Sequence, residues 1–206
     1  NSGVDADYDK AVAYAQGSYC WLMTDDDLLS PGAVARVLEA LRDEPDAVIV
    51  NAQVCTKDFS ASLVARSLPF AQDRAYAGHD EQFLVDCARH LSFIGAVIIR
   101  RDRWLERERK SYYGTVFIHV GVLYQSPPLA RIKMLADPLI RIRYGNAMWT
   151  ARGFDIWMFK WPQLIWSFDH YPQAARAKVW AREPWRSTRK LLLARAVGSY
   201  SPEEYR

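Results

Sequence analysis

Residues 19–27 join an apolar run to three consecutive carboxylates and read Tyr19-Cys20-Trp21-Leu22-Met23-Thr24-Asp25-Asp26-Asp27. The apolar run is short and rich in aromatic side chains, which predicts a buried β-strand. Ser30-Pro31-Gly32 follows at once and indicates the start of a helix. Like charges at the end of a strand indicate a bound cation that neutralises them, so these carboxylates form the first candidate site.

Helical and strand patterns alternate on both sides of this stretch. Alternation of this kind predicts an α/β layered sheet of Rossmann-like type, in which ligands collect at the carboxyl ends of the strands. The helix after Ser30 is expected to bury Val34, Val37, Leu38 and Leu41. Further strands are predicted at 47–50, 96–99 and 139–143, and further helices at 8–15, 80–91, 154–168, 173–182 and 186–197.

The carboxylates of Asp25, Asp26 and Asp27 suit a hard divalent cation. Oxygen ligands of this kind bind Mg²⁺ or Mn²⁺, often through one or two carboxylates, while the phosphates of a substrate supply further oxygens. The alternative is a solvated turn in which one of the aspartates caps the next helix. The sequence therefore predicts a metal–diphosphate site and leaves the solvated turn open.

Length and composition limit the class of protein. The 206 residues, half of them hydrophobic, can bury one sizeable core with a helical appendage. The three cysteines, Cys20, Cys55 and Cys87, are odd in number and widely spaced, which favours a reducing cytoplasm over a disulfide framework. No apolar run approaches the roughly 18 residues that a membrane span needs, and no signal peptide is recognised. We expect a chain that is soluble or lies on a membrane surface.

The charge is distributed unevenly along the chain. Residues 1–140 carry 15 Lys and Arg against 19 Asp and Glu, whereas residues 141–206 carry 12 against 5. The basic segment also holds six of the eight tryptophans, and basic residues mixed with Trp are typical of a helix that lies on anionic lipid. Packing of these rings between helices is the alternative, and no nucleic-acid-binding motif accompanies the charge. The six rings are Trp149, Trp157, Trp161, Trp166, Trp180 and Trp185.

Several motifs, taken in order, resemble the inverting glycosyltransferases of the second sequence family, which have the GT-A fold. Four further stretches are similar to the branch typified by the abequosyltransferases of O-antigen synthesis. The likeness covers most of residues 1–125. The family motifs are Asn1-Ser2-Gly3, Ala15-Gln16-Gly17-Ser18-Tyr19 and Thr24-Asp25-Asp26-Asp27 with Pro31, and the branch motifs are Tyr19-Cys20-Trp21-Leu22-Met23, His90-Leu91-Ser92-Phe93-Ile94-Gly95, Arg100-Arg101-Asp102-Arg103-Trp104 and Phe117-Ile118-His119-Val120.

The resemblance implies transfer of a sugar from a nucleotide-diphosphate donor to an acceptor hydroxyl, with inversion at the anomeric carbon. By its distance from Pro31, Asp26 matches the metal-binding aspartate, and Mn²⁺ or Mg²⁺ is the implied cofactor. Asp25 would lie near the ribose or a metal-bound water, and Asn1 would also contact the donor. Asp27 would ligate the metal, support its ligands or cap a helix. Thr24 stands where many members carry an aspartate.

A general base is also implied, and the acidic pair that most members place in this region is missing between residues 102 and 137. Counting along the motifs brings His119 to that position, where a neutral imidazole can accept a proton near pH 7. A packing role for His119 is the alternative. The second candidate base is the cluster of His79, Asp80 and Glu81, whose alternative is a solvated helix start.

Against the family pattern, the chain begins after the point where the first nucleotide-binding strands are built. We therefore expect residues 1–140 to form a partial GT-A catalytic domain, truncated at its N-terminal side, and residues 141–206 a Trp-rich basic helical extension. The expected partners are a nucleotide-diphosphate sugar, a lipid-linked oligosaccharide acceptor and an anionic membrane surface, with no nucleic acid. The expected location is the cytoplasm, peripheral to the inner face of its membrane.

Two other functional classes stay open at this stage. The chain could be a non-catalytic subunit that docks a glycan-assembly complex on the membrane through its basic end. A Mg²⁺-dependent phosphotransferase built on the three aspartates is a weaker alternative, because the sequence has no Gly-rich phosphate loop.

Overall fold

The computed structural model describes residues 3–145 and 152–199. The chain forms two compact units, Asn1–Asn146 and Ala147–Arg206. The first unit is a mixed α/β layer, which confirms the predicted α/β class. Its strands are β1 Tyr19–Trp21, β2 Leu28–Leu29, β3 Ala47–Cys55, β4 Ser62–Val64, β5 Arg74–Tyr76, β6 Val97–Arg100 and β7 Ile132–Arg143; its helices are α1 Val4–Tyr14, α2 Ala33–Ala40, α3 Glu81–Cys87, α4 Arg101–Glu106 and α5 Ile118–Tyr124.

The sheet has the strand order β1-β6-β3-β7-β2, with β4 paired to β3 and β5 paired to β7. β3 and β7 are parallel, whereas β6 is antiparallel to both β1 and β3. β1, β3 and β7 therefore run in the same direction. β1 ends level with the beginning of β3, and the segment after it continues toward the carboxyl ends of β3 and β7, where Asp27 meets Arg143.

β3 lies at the centre of the core, and its residues 47–52 are completely buried. A strand covered on both faces shows a continuous apolar run in place of alternation, which explains the Ala-Val-Ile-Val pattern. α2 packs on this sheet through Ala33, Val37 and Ala40. The predicted α2 face was wrong at Val34 and Leu38, which are exposed, because the helix turns its smaller residues toward the sheet.

The second unit is helical, as the pattern after residue 153 predicts. It contains α6 Gly153–Asp155, a π-helical turn Ile156–Lys160, α7 Trp161–Ser167, α8 Gln173–Val179 and α9 Thr188–Ala196. Within residues 3–145 and 152–199, no helix is both long and apolar enough to cross a membrane. The assignment of a catalytic domain to 1–140 and an extension to 141–206 stays a prediction.

Most of the tryptophans in the second unit pack on other side chains of that unit. Trp161 is 1% exposed, and the ring of Trp157 contacts those of Trp161 and Trp180 at centroid distances of 5.9 and 5.8 Å. Arg176 lies over the ring of Trp166 at 5.0 Å. These contacts favour the packing alternative for the rings, and Trp149 lies outside the described residues.

Candidate functional site

The three aspartates lie in the loop that connects β1 to β2, at the carboxyl edge of the sheet. Asp27 is held from both sides: the Thr24 hydroxyl donates to its Oδ2, and the backbone N–H of Arg143 donates to its Oδ1 at 2.9 Å. Burial raises the pKa of Asp27, and the Thr24 and Arg143 hydrogen bonds offset part of that effect. Asp27 therefore anchors the acidic loop to the end of β7.

Tyr8 on α1 is close to the acidic loop. Burial, together with the negative charges of Asp26, Asp25 and Asp27, raises the pKa of Tyr8 to about 12. The phenol therefore keeps its proton at neutral pH and is available as a hydrogen-bond donor. Asp25 is exposed, whereas Asp26 and Asp27 are half-buried.

Two arginines near the end of β7 place positive charge beside the acidic loop. Arg141 and Arg143 are two residues apart, so they project from the same face of the strand. Their guanidinium carbons lie 5.2 and 4.8 Å from the centroid of the Phe59 ring, and Arg141 donates to the Phe59 carbonyl at 2.8 Å. Nε of Arg143 is buried without a hydrogen-bond partner among the described residues.

This donor set can hold a cation only together with a substrate. Within residues 3–145 and 152–199, no group of three or more His, Cys, Asp or Glu side chains is arranged to hold a metal ion. Both oxygens of Asp27 already accept hydrogen bonds, so a metal ion at Asp27 would compete with the Thr24 hydroxyl and the Arg143 N–H. Two carboxylates plus substrate phosphates and water match the usual coordination of Mg²⁺. The metal assignment to Asp25, Asp26 and Asp27 stays a prediction.

His119 lies on α5 and is 1% exposed. Its Nε2 is 2.7 Å from the carbonyl oxygen of Leu91, which can only accept, so Nε2 carries the proton and Nδ1 carries the lone pair. Nδ1 is buried without a partner among the described residues. Burial lowers the pKa of His119 to about 4, so the ring is neutral at pH 7. Burial favours the packing role, and the assignment of His119 as the base stays a prediction.

Asp80 and Glu81 lie at the opposite end of the sheet from the acidic loop. The N–H of Gly78 donates to the Leu129 carbonyl just before β7 begins, whereas Asp27 binds the residue at which β7 ends. β3 runs beside β7 over this length and has nine residues, so the beginning and the end of β7 are roughly 26 Å apart. The structure therefore does not bring the His79–Glu81 cluster to the aspartates.

Asp80, Glu81 and Asn1 were also predicted as site residues. Asp80 Oδ2 accepts from the Ala77 N–H at 3.0 Å, and Glu81 is exposed at the start of α3, which matches the solvated helix start considered for the cluster. Asn1 lies outside the described residues. The residues that the structure does place at one edge are Tyr8, the three aspartates and the arginines of β7.

Sequence reasoning missed two buried carboxylates on α1, Asp5 and Asp9. Asp5 accepts from the backbone N–H groups of Gly114, Val116 and Ile118 at 2.8, 2.9 and 3.0 Å. Val116 has a φ of 66°, a strained value for a β-branched residue that these bonds help to hold. Asp5 and Tyr8 are one helical turn apart, so α1 joins the loop before His119 to the acidic loop.

The second of these carboxylates, Asp9, is tied to three side chains. It accepts from Trp104 Nε1 at 2.8 Å, Arg109 Nε at 2.7 Å and the Tyr113 hydroxyl at 2.6 Å. Burial alone would raise the pKa of Asp9, but these donors outweigh it and lower the pKa. The four-residue spacing of the two carboxylates was the available signal, because it places both on one face of a helix.

We expect Asp5→Ala to lower the free energy of unfolding by about 3 kcal/mol, because three buried N–H donors lose a charged acceptor. Asp7→Ala on the exposed side of the same helix is the matched control, with an expected change below about 1 kcal/mol. Urea unfolding followed by circular dichroism measures both. Equal stability of the two variants would show that the 114–118 loop holds its conformation without Asp5.

Comparison with known proteins finds a matching family model and a similar curated protein. A family model described as "Glycosyl transferase family 2" matches residues 1–108. The Abequosyltransferase RfbV of Salmonella typhimurium strain LT2 is 24% identical over 168 residues, which cover 74% of this chain and 49% of that protein. The chain thus spans about half the length of this curated relative.

Proposed function

We propose a sugar-transfer function for this chain, which belongs to glycosyl transferase family 2. The observation that carries the proposal is the acidic loop, which lies within the matched residues and at the carboxyl edge of a GT-A-type sheet. The donor is a nucleotide-diphosphate sugar. The acceptor is a glycan hydroxyl, transfer proceeds with inversion, and the product is a bacterial surface polysaccharide of the O-antigen kind.

The negative diphosphate of such a donor needs positive charge and hydrogen-bond donors at the sheet edge. Arg141 and Arg143 supply the positive charge from the protein, and Tyr8 supplies a protonated phenol. Asp25 and Asp26 would hold a Mn²⁺ or Mg²⁺ ion. A cation bound there neutralises charge on the departing nucleoside diphosphate, an effect worth several kcal/mol in the transition state.

The transfer step exchanges one C–O bond for another. The acceptor oxygen bonds to the anomeric carbon from the face opposite the diphosphate, while the bond from that carbon to the diphosphate oxygen breaks and its electron pair leaves with the diphosphate. The acceptor proton passes to Nδ1 of His119. We assign the base to His119 and not to the His79–Glu81 cluster, because α1 connects the His119 loop to the aspartates and the cluster lies at the other end of the sheet.

The acceptor proposed here is lipid-linked, which would bring the chain to the cytoplasmic face of a membrane. The likeness to an abequosyltransferase supports a polysaccharide acceptor, and the basic charge of residues 141–206 supports an anionic surface nearby. The second candidate function is a non-catalytic subunit that docks a glycan-assembly complex. The basic charge of residues 141–206 also supports this docking function, because a charged surface can bind a membrane without any catalytic activity.

Isothermal titration with a panel of nucleotide-diphosphate sugars, with and without Mn²⁺, tests the proposal. We expect one nucleotide to bind and its affinity to rise at least about tenfold with Mn²⁺, because the cation bridges carboxylates and phosphates. Absence of binding for every sugar nucleotide, in a chain shown to be folded by circular dichroism, would favour the docking subunit instead.

A further inference from the structure

The outer face of α9 exposes large aliphatic side chains. Leu192, Leu193 and Val197 are 63%, 62% and 62% exposed, whereas Ala194 on the opposite side of the helix is 7% exposed. At 100° per residue the three exposed side chains lie within a 140° arc that also contains Ala196. A contiguous apolar face of this kind on a soluble surface usually marks an interaction site.

Basic side chains surround this face. Residues 182–199 carry five Lys and Arg and a single acidic residue, Glu183. Arg189 lies on the same side of α9 as the leucines, one turn earlier, and Arg186 and Arg195 are exposed beside it. Glu183 is held by Arg186 at 3.1 Å, so the only acidic charge in this segment is compensated.

Two stacked aromatic side chains lie at the turn that precedes α9. Phe159 is 43% exposed and stacks on Trp185 at a centroid distance of 5.3 Å. Trp185 belongs to the 3₁₀ turn Pro184–Arg186. The next residue, Ser187, caps α9, because its hydroxyl oxygen accepts a hydrogen bond from the Lys190 N–H. Trp at the border between apolar and charged side chains is typical of segments that lie in the headgroup layer.

A second exposed apolar pair in the chain has the opposite charge around it. Val34 and Leu38 on α2 are 53% and 61% exposed and lie one turn apart. Residues 33–46 around them carry two basic and four acidic side chains. An anionic surface would repel α2 and attract α9, although both helices expose large aliphatic side chains.

We propose that the outer face of α9, formed by Leu192, Leu193, Val197 and Arg189, docks on an anionic lipid bilayer. The leucines enter the boundary between headgroups and acyl chains, and the arginines remain among the phosphates. This inference deepens the proposed function, because it locates the membrane contact on α9 and not on the packed tryptophans. The apolar area of α9 and the basic charge around it both contribute to binding, so binding requires anionic lipid and weakens with salt.

Co-sedimentation with vesicles tests the inference on the whole chain. Vesicles of phosphatidylcholine, with and without phosphatidylglycerol, are compared at low and high salt. We expect pelleting with phosphatidylglycerol at low salt, loss of pelleting at high salt, and at least about tenfold weaker partition for Leu192→Asp/Leu193→Asp, because two aliphatic side chains no longer enter the bilayer. Val34→Asp/Leu38→Asp, the matched control on α2, should partition within about twofold of the original chain.

Each contrary outcome overturns the inference. The chain could stay in the supernatant, as it would if α9 bound a protein partner. It could pellet equally with neutral vesicles, or the α9 variant could pellet as well as the original chain. The four substituted positions are more than half exposed, and circular dichroism checks that the variants fold. Nucleotide-sugar titration of the same variants keeps the two proposals apart. Lipid binding without nucleotide binding rejects only the transfer function, and the reverse result rejects only the α9 surface.

Discussion

Replacing Asp26 by Asn should abolish sugar transfer, with a loss of turnover of about 10³-fold or more, while the fold stays intact. The amide has the size of the carboxylate but not its charge, so the oxygen–metal bond weakens and the stabilisation of the departing diphosphate, several kcal/mol, is lost. Mn²⁺ titration in the presence of a nucleoside diphosphate should show the same loss directly. This readout does not depend on turnover.

Asp137→Asn is the matched control, because Asp137 is an exposed carboxylate of the first unit whose Arg66 partner is 3.7 Å away. A surface ion pair at that distance contributes little, so stability and transfer should both stay near those of the original chain. The metal role of Asp26 is rejected if the variant retains turnover within about threefold of the original, since that difference corresponds to less than about 1 kcal/mol.

Local signals predicted β1, β3, β6 and the end of β7, but not β2, β4, β5 or the first part of β7. The apolar run before Asp25 and the Ala-Val-Ile-Val run at 47–50 both became strands, β1 and β3, and the Ser30-Pro31 signal preceded α2 closely. Local patterns did not give the buried face of α2. Ala33 and Ala40 fit closely against the sheet, whereas Leu38 points outward, and this choice depends on the distance to β3 and β7.

The candidate site was less accessible to sequence reasoning because it depends on contacts between distant residues. Asp27 meets the Arg143 backbone across 116 positions, and Asp5 meets Ile118 across 113 positions. The charge of Asp5 is visible in the sequence, but its contacts are not. Only the folded chain shows that it holds the loop that carries His119.

The topology also places the second candidate for the base, the His79–Glu81 cluster, away from the acidic loop. Glu81 and Asp80 follow β5, whose pairing with the beginning of β7 places them far from Asp26. The direction and pairing of the strands determine this distance, and neither can be inferred from a local cluster of acidic residues in the sequence. The remaining candidate, His119, leads to the second large prediction.

His119→Gln should lower turnover by about 10² to 10⁴, the range typical of a lost general base. The Gln side-chain amide can still donate to the Leu91 carbonyl as Nε2 does, but it provides no basic nitrogen in place of Nδ1. The residual rate should rise with pH as solvent takes over the proton. In the original chain the pKa of about 4 keeps the ring neutral, so this base imposes little pH dependence on turnover above about pH 5.

His90→Gln is the matched control because His90 is also buried, lies 2.8 Å from a backbone carbonyl through Nε2 and has a pKa lowered by burial to about 4. Both rings fold in the neutral form, whereas the unfolded rings bind protons below about pH 6.5. The free energy of unfolding should therefore fall as the pH drops from about 6.5 toward 4, and each Gln variant should remove part of that slope. A packing role predicts this same stability effect for both histidines, with turnover unchanged in the folded fraction. A base predicts a loss of turnover at His119 alone, so normal turnover in a folded His119→Gln chain would return the residue to the core.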